Sequence, residues 1–298
     1  MSWARTLSAG QTCRVHIFDA ATGESQIVHE DATVLLEAPN WTLDGQLILN
    51  GDGVFWRLPV DASAAPSRIP HHGLPENNND HVLSPDSLTV FASCNDGHIY
   101  AAPVEGGHAR RVTRGDPGLF HYLHGVSPDG TRLAYVALDF RDESPSGTVH
   151  TVGVDGADDA AVTTGVGPDD GPEYNPAGDW LYLNTERFSE STGHAQIAKV
   201  RLDGAGLTQL TFDERANWFP HLNGDGTRAV YLSYPPGTQG HPADLAVTLR
   251  LVDLSAGDDA WAEAPIGANL LGGQGTINVN SWSPDGTRFA YVDYPSTI

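Results

Sequence analysis

Four histidines, His81, His124, His221 and His241, are the side chains of this 298-residue chain best placed to do chemistry. The first three each stand just ahead of a copy of one recurring phrase, Ser-Pro-Asp-Gly or a worn form of it. Aligned on that phrase, His81, His124 and Asn280 share one position, and Glu173 and His221 fall one residue later. Neutral imidazoles gathered with a carboxylate or an amide suit a divalent metal. The four histidines are therefore candidate ligands for Mn, Zn, Ni, Fe or Ca. Glu173 and Arg187 are the candidate catalytic groups. Arg141, Asn217, Trp218, Tyr234, Gln239, Asn278 and Asn280 are candidates for ligand binding, and an arginine such as Arg141 or Arg187 is suited to clamping a carboxylate or phosphate. Blander readings stay open beside these. The imidazoles would then be hydrogen-bonded structure without metal, and the two arginines would pair with their neighbours Asp142 and Glu186.

The phrase that aligns these residues is a turn. Its cleanest copies are Ser127-Pro128-Asp129-Gly130 and Ser283-Pro284-Asp285-Gly286. Weaker ones begin at Thr42, Ser84, Asn175 and Asn223. Proline presets φ, aspartate bonds nearby backbone, and glycine accepts a positive φ. An alternating aromatic and β-branched run follows, as in Arg132-Leu133-Ala134-Tyr135-Val136, and reads as a strand. A repeat at this spacing predicts a propeller. Most units carry a second strand pair, which makes four strands per blade, A to D from the inside out. After the sixth copy only one further strand remains. Residues from about 13 to 29 offer the missing pair, so the expectation is an all-β, six-bladed propeller in a single domain (1–298). Its ring is closed by N-terminal strands that complete the last blade, which removes open sheet edges.

The Ser-Pro-Asp-Gly turn followed by an alternating aromatic strand resembles the repeat of the TolB-like six-bladed β-propellers. The resemblance extends to the propellers of prolyl-oligopeptidase-type peptidases and of oligogalacturonate lyases, and it covers nearly the whole chain. It implies the fold firmly and function weakly, because one fold hosts many activities. In the lyases it implies a divalent metal held near the channel by histidine and glutamine. Such a metal would polarise a uronate carboxylate and acidify the neighbouring C–H.

Strand geometry narrows the search. The repeated turns join A to B on one face, so the starts of the A strands converge at the opposite mouth of the channel. The long segments 139–147, 185–194, 235–245 and 264–276 gather over that same mouth, and long ordered loops on a rigid scaffold are where binding residues concentrate. Glu173 and His221 would face away from His81 and His124 unless bulges intervene near Pro172 or Pro220.

The net charge of −22, from 38 acidic and 16 basic residues, disfavours nucleic acid and anionic membranes as partners. The single lysine is Lys199. Cys13 and Cys94 lack metal spacing and read as buried thiols. No apolar leader or membrane-length run is visible, which points to the cytoplasm, or to a periplasmic or secreted protein if a signal peptide has been removed. No Gly-x-Ser-x-Gly elbow, phosphate loop or dinucleotide fingerprint occurs. Two functions fit: a propeller binding a small molecule or a protein at the loop-rich mouth, or a divalent-metal-dependent lyase or hydrolase acting there on a sugar-like anionic substrate.

Overall fold

The computed structural model describes residues 4–115, 118–143, 146–165 and 167–296. The alternating runs pair into antiparallel sheets that form the six blades of a propeller. Innermost strands are Glu37–Trp41, Asn77–Leu83, Leu119–Val126, Asp169–Tyr174 and Ala216–Leu222 in blades one to five. In blade six, strand B (Arg288–Asp293) pairs with Cys13–Asp19, which pairs with Ser25–Asp31, so the N-terminal pair does close the ring. The inner edge of that blade is irregular. Residues 276–282 are held to strand B by the Trp282–Phe289 bridge, by scattered backbone bonds such as Ala290 N–H to the Ser281 carbonyl, and by Ser281 Oγ donating to the Ala290 carbonyl. Apolar clusters fill the gaps between blades, as where Phe18, Trp282 and Phe289 of blade six meet Trp218, Leu232 and Leu249 of blade five. This burial is the main favourable term for the fold.

The segment 264–276 is not one long loop. Ile266–Gly272 forms strand D of blade five, paired along its length with Leu245–Asp253. Its exposure hides it from sequence: the strand covers an outer edge, so its pattern lacks the buried alternation that marks inner strands. Three long connections, not four, rise over the loop-rich mouth, with the short stretch around Gln274 behind them.

The repeated turn does more than reverse the chain. Ser127 Oγ donates to Asp129 Oδ1 (2.6 Å), which also accepts from Thr131 N–H (3.0 Å), and Arg132 N–H closes back on Ser127 Oγ (2.9 Å). Gly130 takes φ +71°, and a Cβ there would stand 3.2 Å from Pro85 of the preceding turn. Gly178 meets Pro128 and Gly226 meets Pro176 in the same way. Proline of one turn thus seats against glycine of the next, and the repeat latches neighbouring blades together.

Each regular A strand carries a bulge. In blade four Asp170 opposes Asn184 and Glu173 opposes Tyr182; in blade five Trp218 opposes Leu232 and His221 opposes Val230. Three residues on one strand span two on the other, which is one extra residue. The bulges fall where the prolines Pro172 and Pro220 suggested them. Phe219 (φ +55°) and Gly171 (φ +61°) bend the two strands at this point. The bulge lets side chains three apart face the channel together, one above it and one below it. Blade one repeats the device with Glu37 and Asn40.

Candidate functional site

The two ends of the channel hold different cavities. The loop-rich mouth encloses about 570 Å³, bordered by the first residues of A strands (Asn77 to Asp80, Asp169 and Asp170), by Arg5, Glu37 and Asn50, and by His124, His241 and Gln274. The turn-side mouth encloses about 330 Å³, bordered by Glu173, Asn280 and the turn prolines Pro85, Pro128, Pro176 and Pro284. His124 borders both and sits at the waist.

At the loop-rich mouth Asp170 lies between two imidazoles. His124 Nε2 is 3.1 Å from Asp170 Oδ1, and His241 Nε2 is 3.6 Å from Asp170 Oδ2. His124 Nδ1 donates to the Asn278 carbonyl (3.2 Å), and the ring stacks on Phe219. Burial alone would lower the His124 imidazole. Asp80 and Asp170 outweigh it and hold the group up at about 9. Burial would likewise raise Asp170, but His124 and His241 hold its carboxyl well below the usual range. Asp80 goes the other way: burial, reinforced by Asp170 against the opposing pull of His124 and His241, pushes its carboxyl upward. His241 packs on Trp218, its Nδ1 faces Gln274 Oε1, and Asp170 and Asp80 hold it above the ordinary imidazole value against burial.

A second cluster closes the other side of this mouth. Arg5 Nη1 donates to Glu37 Oε1 (2.8 Å) and to the Gln274 carbonyl (2.7 Å), and the guanidinium lies over the Tyr294 ring. Asn50 Nδ2 donates to Glu37 Oε2 (3.1 Å), and Gln274 Nε2 to Asn79 Oδ1 (2.9 Å). Yet the Asn77 carboxamide, on a residue 4% exposed, finds no partner for either its oxygen or its nitrogen among the described residues. Asn50 Oδ1 and Asn278 Nδ2 are also left over.

On the turn side Glu173, His221 and Asn280 satisfy one another, although the Tyr174 hydroxyl bordering the same cavity has no partner among the described residues. Glu173 Oε1 accepts from Leu222 N–H (3.0 Å) and from Asn280 Nδ2 (2.7 Å). Glu173 Oε2 lies 2.6 Å from His221 Nδ1, and His221 Nε2 donates to the Ile277 carbonyl (2.6 Å). His81 belongs to neither cluster. Its Nδ1 meets Asn40 Oδ1 (2.8 Å), its ring meets the Phe55 edge, and burial drives it down to about 3.

The structure therefore brings His124 and His241 together around Asp170, with Trp218 behind and Asn278 beneath. It brings Glu173, His221 and Asn280 together nearer the opposite end. Arg187 is clamped by Asp169 (2.7 and 2.8 Å), not by Glu186, and Arg141 by Asp139, not by Asp142. Asn217 is tied to Ser233 and Asp213, Tyr234 is fully buried, and Gln239 is exposed on its loop. Asp80, Asp170, Glu37, Asn50, Asn77 and Gln274 do not stand out by residue type. Position at the start of an A strand is the signal that marks Asn77, Asp80 and Asp170. Nothing in the sequence marks Arg5.

The four histidines are not gathered into one metal-ligating set. Both His221 nitrogens are engaged, and the unpartnered His81 Nε2 is sealed in the core. Among the described residues no group of three or more His, Cys, Asp or Glu is gathered closely enough to share an ion.

No protein-family model matches the chain. An uncharacterized protein of Agrobacterium fabrum, Atu1656, is 35% identical over 285 residues, covering 94% of this chain and 92% of that one. A solved structure from Agrobacterium tumefaciens, provisionally called TolB, is 34% identical with a TM-score of 0.86, covering 96% of this chain and 99% of that one. An oligogalacturonate lyase in complex with manganese shares the fold at 14% identity and a TM-score of 0.54, over 86% of this chain and 73% of that one. TolB from Acinetobacter baumannii does so at 15% identity and 0.56, over 93% of this chain and 56% of that one.

Proposed function

This chain belongs to the TolB-like six-bladed propellers, and on that premise we propose that it binds a small molecule in the loop-rich mouth of its channel. One observation carries the reading: a concave cavity of about 570 Å³ bordered by Asn77 and Asn50, two residues whose buried side-chain amides keep atoms without a partner among the described residues. That size is within the usual range for small-molecule sites, about 300–1,000 Å³. A buried donor or acceptor without a partner costs about 1–3 kcal/mol, so its persistence beside a cavity supports a ligand that completes it. Concavity favours a small molecule over a protein surface at this mouth. The charge of −22 argues against nucleic acid and anionic membranes.

A thermal-shift screen with a chemically broad metabolite panel tests the reading, run on the natural chain and on Asn78→Trp. Asn78 is half-buried and borders the cavity, so an indole there obstructs it. A ligand that raises the melting temperature of the natural chain but not of the variant supports the proposal. Equal shifts in both would place binding elsewhere and sink it, as would no shift at all. The metal-dependent lyase or hydrolase reading enters the same screen through added Mn²⁺ or Zn²⁺ and a chelator. It gains ground only if the shifts require metal.

A further inference from the structure

We propose that the ligand of the loop-rich mouth is a neutral, polyhydroxylated molecule of sugar size, a monosaccharide or cyclitol rather than an anion or an amine. The inference rests on the small-molecule reading above and adds the chemical class. Three features of the wall carry it.

The first is charge. The arginines and histidines around the cavity each already have a carboxylate beside them. Arg5 faces Glu37 at 2.8 Å, Arg187 faces Asp169 at 2.7 Å, and Asp170 lies between His124 and His241. An incoming carboxylate or phosphate would have to displace one of these acids from its cation. The remaining acid, Asp80, is buried and accepts from Asn78 Nδ2 (2.9 Å). Burial opposes its charge.

The second is the donor and acceptor balance. Carboxamides from Asn50, Asn77, Asn78, Asn79 and Gln274 crowd one mouth. A carboxamide carries both a donor and an acceptor, as does each hydroxyl of a polyol, although Asn78, Asn79 and Gln274 already engage both halves within the protein. A charged ligand would use one half of that set, whereas a polyol uses both. Asn77 has both halves unused, and Asn50 has its oxygen unused.

The third is the apolar strip. Tyr122, Val136 and Leu138 border the same cavity. A sugar ring presents C–H faces between its hydroxyls, and this strip can cover one of them while the amides meet the edge.

Isothermal titration calorimetry separates the classes, with glucose, galactose and myo-inositol as neutral probes, glucuronate and galacturonate as anions, and choline and putrescine as cations. Each is run at low and at high salt on the natural chain, Asn77→Leu and Asn78→Trp. The expected result is preferential binding of a neutral probe and an affinity nearly independent of salt. Asn77→Leu should weaken it by about tenfold, the loss of one good hydrogen-bonding group, with the fold intact by circular dichroism. Preferential binding of a uronate or an amine, abolished by Asn78→Trp and weakened by salt, would overturn the neutral class while leaving the small-molecule reading standing. No binding by any of the probes, at a concentration where a hit from the thermal screen does bind, would also overturn the class. Failure of the thermal screen itself would remove both.

Discussion

The two mouths of one channel are built from the same strands and end up chemically opposite. On the turn side Glu173, His221, Asn280 and backbone groups of Leu222, Ile277 and Trp282 consume one another's hydrogen-bonding capacity. On the loop side the Asn77 carboxamide and Asn50 Oδ1 are left over, and Asp80 is buried in a place that opposes its charge. A bulge in each regular A strand produces the pair: Asp170 and Glu37 are delivered to the loop side, Glu173 and Asn40 to the turn side. The lesson is that a histidine beside a carboxylate marks no function by itself. What separates the Glu173 cluster from the amides at the loop-rich mouth is whether the network closes. A fully satisfied network rigidifies the ring, and an unfinished one beside a cavity is available for a ligand.

The largest effect should come from breaking the closed network. Glu173→Ala removes the acceptor of Leu222 N–H and Asn280 Nδ2 and leaves His221 Nδ1 unpaired in the core. The expected loss is about 3–5 kcal/mol, the range for removing one partner of a buried ion pair, measured by urea unfolding. A change under about 1 kcal/mol would mean that the turn-side network is not structural, and the contrast between the mouths would fail.

Next in size is a pH effect that separates two histidines at equivalent positions. His124 is held up at about 9 from an ordinary 6.5, so its contribution is present below pH 6.5 and is lost as pH rises through about 9. His81 is driven down to about 3, so its contribution is present above pH 6.5 and is lost as pH falls toward 3. Each slope is about 1.4 kcal/mol per pH unit within its window. His124→Gln should flatten the alkaline limb of a stability–pH curve and His81→Gln the acid limb. Interchanged limbs would contradict both environments.

A smaller loss tests the latch. Gly130→Ala places a side chain at φ +71° and 3.2 Å from Pro85, with an expected cost of about 1–2 kcal/mol. Thermal unfolding should register it, while binding at the far mouth should not change.

The outline of the molecule was legible because the turn chemistry is periodic. Ser-Pro-Asp-Gly fixed the blade count, and the strand deficit after the sixth copy foretold closure by Cys13–Asp19 and Ser25–Asp31. Strand Ile266–Gly272 was missed because an outer edge strand does not need buried alternation. At the site, residue type alone does not say which groups meet. His81, His124, His221 and Asn280 stand in near-equivalent positions, but what each does depends on a neighbour in another blade: Asn40, Asp170, Glu173 or Leu222. Such partners lie tens of residues away in sequence, and no spacing rule reaches them. Arg5 is the extreme case. Its role rests on Glu37, Gln274 and Tyr294, from both ends of the chain.

The smallest predicted effect has the opposite sign to the rest and bears most directly on the unfinished mouth. Asp80 is ionised in the unfolded chain at neutral pH, whereas in the fold burial and Asp170 oppose its charge. A group whose carboxyl is raised on folding destabilises the native state wherever the unfolded form is charged. Asp80→Asn keeps the shape and the bond partner Asn78 while removing the ionisation. It should therefore stabilise the protein by about 1 kcal/mol at pH 7, the usual gain when a functional compromise is relieved. The gain should vanish as pH falls below the ordinary carboxyl value of 3.8, where the native residue is protonated in both states. Binding should weaken in the same variant, because an amide cannot reproduce both forms of the acid. A stability loss instead would mean that Asp80 completes a closed network like Glu173, and the two mouths would then be alike.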